Sequence, residues 1–285
     1  FKKYLGLDIA PKHVDFINVD NAIDLKRYIK KYGSYYNFLQ TIDENVPLFD
    51  ENEKEFIKYL SNYIPLIRPY EYMIVKELLS GSKTKAELID SIKEIVNYDV
   101  HKFEHALNNL QNLYFSDKEQ QSKNKYLLFD GSKYSLLINL QNTALLNYTE
   151  DLLEYGLIRY EVEFGYPNED LVLYANYSRI QFLQAICADK MTFREGIMWY
   201  NGQLYLFIDL KKDLSKEEWL LYEDKFLSSK VLQWESQTET TIDNSKGKQL
   251  ISKEFADVFV RKIKSEDGIS LPYIYIGKGQ LTKAR

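Results

Sequence analysis

The chain has 285 residues, 45% hydrophobic and 28% charged, a composition that suits two or three globular domains. Its net charge of −5 excludes a protein coated in basic residues, and its 12 Gly and 6 Pro exclude long flexible linkers. A single cysteine, Cys187, excludes an internal disulfide and a cysteine-based zinc site.

Cys187 lies in the apolar run IQFLQAICA, where a buried thiol in a reducing cytoplasm is the expected reading. His101 and His105 stand four apart on an expected helix, but the HExxH pattern is missing, so surface helix positions are expected for them. There is no signal peptide and no apolar run long enough to span a membrane, so the protein is read as cytoplasmic, without a membrane partner.

The fold class read from the pattern is α+β, with an N-terminal helical segment, a winged-helix-like module and a mainly antiparallel β domain at the C-terminal end. The first segment, residues 1–66, begins FKKYLGLDI without an initiator Met, so a piece of a longer protein is expected. NAIDLKRYIKKYGSYYNFLQTI predicts helix broken at Gly33, and ENEKEFIKYLSNYIPLIRP predicts a helix with the stripe Phe56, Ile57, Leu60 and Ile64, ended by Pro65.

Residues 67–140 predict three short helices and then a hairpin. PYEYMIVKELLSG closes on Gly81, TKAELIDSIKEI opens on a capping box of Thr84 and Glu87, and DVHKFEHALNNLQNLYF has Asp99 as its cap. The strands YLLF and KYSLL flank an Asp130-Gly131 turn, which completes the order of a winged helix. The third helix offers Asn108, Asn109, Gln111 and Asn112 as readers of adenine edges. Ten basic and ten acidic residues leave this segment without a charge surplus for phosphate, so packing against protein is the stronger reading of that helix.

A connecting helix is expected over 141–160, and a β-rich domain over 161–285. Its expected strands are RYEVEFGY, LVLYANY, EGIMWYNGQLYLFIDL, KVLQWESQTET, DVFVRKIK and LPYIYIGKG. Turns are expected at Pro167-Asn168, Asn201-Gly202, Asn244 to Gly247 and Asp267-Gly268, and helices in YSRIQFLQAIC and SKEEWLLYEDKFLSS. The basic tail KGQLTKAR follows without a closing element, so this domain is expected to be truncated.

YSR at 177–179, the runs at 194–212 and 222–240, GKQLI, DVFVRKIK and LPYIYIGKG together resemble the domain of unknown function 3427. That domain stands at the C-terminal end of bacterial superfamily-two DEAD/DEAH-box helicases, often with a phospholipase-D-like nuclease domain in front, in restriction and phage-defence settings. The helical part resembles the region between such a motor and its end domain. The resemblance implies DNA, a helicase motor of the same chain and a nuclease domain or subunit as partners. ATP and magnesium would belong to the motor; this segment has neither a phosphate-cradling GxxxxGK[ST] loop nor a DExH strand, so no cofactor and no ATP hydrolysis are expected here.

Three readings follow for the C-terminal part. In the first it binds DNA: Trp234, Tyr222 and Trp199 stack on bases, Gln233, Ser236 or Gln237 bond to base edges, and Arg179, Arg261, Lys262, Lys264 and Lys278 hold phosphates. Residues 246–285 carry nine Lys/Arg against four Asp/Glu, which suits a polyanion, although alternation puts Arg261 and Lys262 on opposite faces. Core packing is the alternative for Trp199, Trp219 and Trp234. In the second reading it is a metal-dependent nuclease, with Asp209 or Asp224 and the Glu235-Ser236-Gln237 strand as magnesium ligands and Lys230, Lys246 or Lys248 as the missing cation. In the third, the helices dock on the motor or another subunit.

Overall fold

The computed structural model describes residues 11–17, 25–94, 98–114, 125–165, 167–189, 196–211, 224–236, 240–266 and 268–282. The chain divides into two compact units, residues 1–168 with 189–191 and residues 169–188 with 192–285. The class is α+β, as expected: helices gather in the first unit and mainly antiparallel strands in the second.

In the first unit, local capping fixes where helices begin. Helix α1 (Leu25–Tyr32) stops at Gly33, whose φ of +85° suits glycine, and Ser34 accepts the Asn37 N–H to open α2 (Tyr35–Gln40). Helix α3 (Glu51–Ser61) starts on an Asp50/Glu53 capping box and buries Phe56, Ile57 and Leu60 completely; it ends three residues before the Ile64-Pro65 stop. Helix α4 (Tyr70–Leu78), strand β1 (Lys83–Thr84), helix α5 (Lys85–Lys93) and helix α6 (Val100–Leu110) follow, with the Thr84/Glu87 box and the Asp99 cap in place. Strands β2 (Leu127–Phe129) and β3 (Lys133–Leu136) turn on Asp130, whose Oδ1 accepts the Ser132 and Lys133 N–H groups at 2.8 Å each. Because β1 pairs with β3 in the order β1-β3-β2, this segment has the helix–strand–helix–helix–hairpin topology of a winged helix.

Helix α7 (Thr143–Phe164) is capped by Asn142 and closed by Gly165 in the left-handed region. It takes in most of RYEVEFGY, which alternation alone presents as a strand. Leu157, Tyr160 and Phe164 recur at helical spacing and pack on the core, and Arg159 pairs with Glu163 one turn on.

Two buried polar clusters hold this unit. His13, fully buried, places Nδ1 2.7 Å from Asp151 Oδ2, and the His13 backbone N–H donates to the same oxygen at 2.8 Å. Residues 11–17 are thereby fastened to α7. In the second cluster Arg68 pairs with Glu71 and donates to His105 Nδ1 at 2.7 Å, while Asn109 Nδ2 donates to Glu71 at 3.1 Å and to Tyr63 at 3.0 Å. Burial alone would raise the Glu71 pKa; Arg68, His105 and Asn109 together bring it below the usual carboxylate range. His105 is therefore a buried partner and not the surface residue its spacing suggested, whereas His101 is exposed.

The second unit is built on a five-stranded sheet of order β4-β12-β9-β6-β5. Its strands are β4 (Asn176–Tyr177), β5 (Ile197–Tyr200), β6 (Gln203–Asp209), β9 (Phe255–Arg261) and β12 (Tyr273–Gln280). Every pairing in it is antiparallel except that of β6 with β9, which run parallel. Hairpin β7 (Lys225–Ser228)–β8 (Val231–Gln233) lies between them in sequence, and a small β10 (Ser265–Glu266)–β11 (Ile269–Ser270) hairpin follows β9. Helix α8 (Arg179–Ala185) opens on a Ser178/Gln181 capping box. Helix α9 (Ser245–Ile251) opens on Asn244, so the stretch from Asn244 to Gly247 starts a helix where a turn was expected. LVLYANY contributes only Asn176 and Tyr177 to the sheet.

Both faces of the sheet are covered, so β9 is buried along most of its length and does not show the half-exposed alternation of an open sheet. One face is aliphatic: Leu204, Leu206, Ile208, Ala256, Val258 and Val260 pack with Leu250 of α9. The other is aromatic: the Phe182 ring of α8 sits 4.9 Å from those of Tyr205 and Phe207 and 5.1 Å from that of Phe259.

Two measurements check this packing. A Cβ built on Gly156 in α7 would stand 2.3 Å from the fully buried Tyr72 ring, whose hydroxyl is tied to the Leu60 carbonyl at 2.9 Å. Gly156→Ala should therefore destabilise the chain by about 1–3 kcal/mol in chemical denaturation, despite the better helix propensity of alanine. Burial raises Tyr177 and Tyr205 to about 12, Asp257 adding to the shift of Tyr205. The stability they give is complete below their unfolded value near 10 and is lost as pH rises towards 12. Absorbance titration of tyrosine should show a late phase that coincides with loss of the sheet's circular dichroism.

Candidate nucleic-acid interface

Alternation along the parallel pair brings two sets of residues to the aromatic face. Tyr205, Phe207 and Asp209 of β6 stand in register with Asp257, Phe259 and Arg261 of β9. The Phe207 and Phe259 rings stack at 4.7 Å in the middle of this row.

At the carboxyl ends of the two strands the row finishes in an ion pair. Arg261 Nε donates to Asp209 Oδ1 at 2.6 Å and Nη2 to Oδ2 at 3.1 Å, a two-pronged contact. Nη1 donates to the Leu271 carbonyl at 3.0 Å, and the guanidinium lies 4.1 Å from the centre of the Tyr273 ring. Arg179, the first residue of α8, reaches the same tyrosine with a side-chain hydrogen bond. Burial, reinforced by Asp209, raises the Tyr273 pKa against the opposing pull of Arg261 and Arg179.

Beyond this pair the strands continue into lysines. The Lys211 N–H donates to the Lys262 carbonyl at 2.9 Å, so the two residues emerge side by side. Lys211, Lys262 and Lys264 are exposed, and none of them forms an ion pair among the described residues. A cationic rim thus stands at the carboxyl ends of β6 and β9, where ligands of open sheets with parallel strands commonly bind.

The structure distributes the other sequence candidates. Arg261 is 7% exposed and engaged within the fold, while Arg179 is half-buried. Trp234 follows β8 and packs, half-buried, with Leu232 on the aliphatic core; Trp199 packs there too, with Lys253 Nζ 5.9 Å from its ring. The strand expected through KVLQWESQTET ends at Gln233. Ser236 is half-buried, and its Oγ lies 3.5 Å from the Thr240 carbonyl. Tyr222, Gln237, Trp219 and Asp267 lie outside the described residues.

Of the acidic residues, Asp209 is held by Arg261 on the aromatic face, and buried Asp224 accepts the Glu235 backbone N–H at 2.9 Å. Among the described residues no three His, Cys, Asp or Glu come together as a metal site. Lys230, Lys246 and Lys248 are exposed. In the first unit, Asn109 and Asn112 of the third winged-helix segment are buried, which leaves Asn108 and Gln111 half-exposed.

Sequence reasoning missed Lys211 and the Asp209–Arg261 pair. The pair stands 52 positions apart and gives no local signal, because the parallel register that joins the two residues is set by the sheet.

Residues 3–162 match the domain of unknown function DUF8090, and the chain belongs to that family. Residues 171–285 match the domain of unknown function DUF3427, in agreement with the resemblance seen in its strands. The gap between the two matches falls where the compact units divide. No curated protein matches the chain. Among the described residues, no helix is long and apolar enough to cross a membrane.

Replacing one member of the ion pair leaves the other unpaired beside the aromatic layer. Asp209→Asn should destabilise the second unit by on the order of 3 kcal/mol, whereas Lys262→Gln should change stability by less than about 0.5 kcal/mol. Thermal and urea melts of the two variants check the contrast.

Proposed function

We propose that this chain is a DNA-binding or DNA-positioning accessory region, serving a helicase motor or a nuclease that lies outside this sequence. The observation that carries the reading is the rim of Lys211, Lys262 and Lys264 at the carboxyl ends of the parallel pair, whose charges no carboxylate among the described residues takes up. The company that DUF3427 keeps supplies the motor and the restriction or phage-defence setting, in a bacterial cytoplasm. Arg179 and Arg261 act behind the rim by fixing Tyr273 and the strand ends; Lys262 and Lys264 meet phosphate. Trp234, with Gln237, Ser236 and Tyr222 near it in sequence, supplies base stacking and contacts to base edges.

The winged-helix segment serves as scaffold. Its third helix turns Asn109 inward to Glu71 and Tyr63, and its outer side carries the Lys85–Glu104 ion pair, so it offers phosphate no excess charge. The nuclease alternative requires either Asp209 to leave Arg261 or buried Asp224, which holds the Glu235 backbone N–H, to turn to a metal, and it requires a cation beside Glu235.

A salt series of DNA binding tests the reading. Lys262→Glu with Lys264→Glu should lower affinity and reduce the slope of log K against log salt by about 1 for each phosphate no longer neutralised. Trp234→Ala should cost about 1–3 kcal/mol of affinity where a base stacks on the indole. Binding with an unchanged slope would move the DNA to another surface, and magnesium-dependent cleavage abolished by Glu235→Gln would favour the nuclease.

A further inference from the structure

At the other end of the same aromatic row, four residues along β9 from Arg261, lies a second carboxylate that pairs with no arginine among the described residues. Asp257 is 6% exposed, and its Oδ1 accepts the Tyr275 hydroxyl at 2.7 Å. No hydrogen bond among the described residues reaches its Oδ2. Asp257 lines an open pocket of about 410 Å³ in the second unit, together with Tyr200, Tyr205 and Tyr275. The Tyr200 hydroxyl donates to the Cys187 carbonyl at 3.2 Å. Glu169 and Asp170 also line the pocket, and Lys278 is the one lysine or arginine among the described residues that do.

We propose that this pocket binds a small alkylammonium group. A carboxylate on a largely buried side chain favours a cation or a strong donor as its partner, and Asp257 lines the pocket with one oxygen that no hydrogen bond among the described residues reaches. Aromatic residues favour a cation over their ring faces, and three tyrosines line this pocket. The size falls within the range of small-molecule sites, roughly 300–1,000 Å³. Among the described residues that line it, three carboxylates stand beside one lysine, a balance that favours a cation over an anionic nucleotide. The ammonium comes either from a free polyamine or from a lysine side chain of another protein; the chemistry at Asp257 is shared. This inference rests on the pocket alone and is independent of the DNA reading at the lysine rim.

The test is isothermal titration calorimetry of the whole chain, at fixed ionic strength, with spermidine, with Nα-acetyl-lysine amide and with cytidine monophosphate. Saturable binding of an amine is expected. Preference for spermidine marks a free polyamine, and preference for the lysine amide marks a protein side chain. Asp257→Asn, which keeps an acceptor for Tyr275, should weaken amine binding by about tenfold or more. Lys278→Gln, an exposed change that spares the fold, should strengthen it by about two- to fivefold by removing a like charge. Wild-type chain that binds neither amine saturably would overturn the proposal. So would amine binding unchanged in a folded Asp257→Asn, tighter binding of the nucleotide than of either amine, or weaker amine binding in Lys278→Gln. If Asp257→Asn fails to fold, the Lys278→Gln comparison decides alone.

Discussion

The pairing of Arg261 with Asp209 is the constraint on which the second unit depends. It joins the ends of the two parallel strands, which no hairpin connects, and it does so next to a buried aromatic layer. Coulomb attraction alone would not offset the removal of two charges from water. The geometry supplies the rest with two parallel hydrogen bonds, a third to the Leu271 carbonyl and a tyrosine face beneath the guanidinium. With Arg261 used internally, the charge left for an outside partner is that of the lysines immediately beyond it. Structure and proposed recognition thus divide between neighbours in RK, one buried and one exposed.

Wherever the information is local, the sequence reveals the structure well. Thr84 with Glu87, Asp99 and the Asp130 turn each act within three residues, and each appears as expected. The winged-helix order follows from these short signals. The pairing of β1 with β3 was not legible, since it spans about fifty residues. His105 and Asn109 misled for a related reason. They look like surface polar residues on a helix until Arg68 and Glu71, from a separate segment, supply their partners. RYEVEFGY has the alternation of a strand, yet the core contacts of Tyr160 and Phe164 carry α7 through it. For the candidate site, the basic character of the C-terminal forty residues was visible, but which cations face outward was not. Arg261 is the last residue of β9 and turns into the covered sheet, while Lys262 lies just past the strand and is exposed.

The two family matches and the two compact units suggest a division of labour. The first unit commits its polar residues to internal networks: His13 with Asp151, and Arg68 with Glu71, His105 and Asn109. Such networks specify one arrangement of helices when every member is satisfied. That is the property a scaffold needs, in keeping with the role proposed for this unit. The second unit uses one ion pair for its frame and keeps a lysine rim at one end of its aromatic row and a carboxylate-lined pocket at the other.

Hydrogen exchange of the whole chain, with and without duplex and single-stranded DNA at low salt, tests the central claim most directly. The account predicts slowed exchange at the carboxyl ends of β6 and β9, from Asp209 to Lys211 and from Arg261 to Lys264. The third helix of the winged-helix segment should be unaffected. Protection confined to that helix and the β2–β3 hairpin, with none at the strand ends, would contradict it.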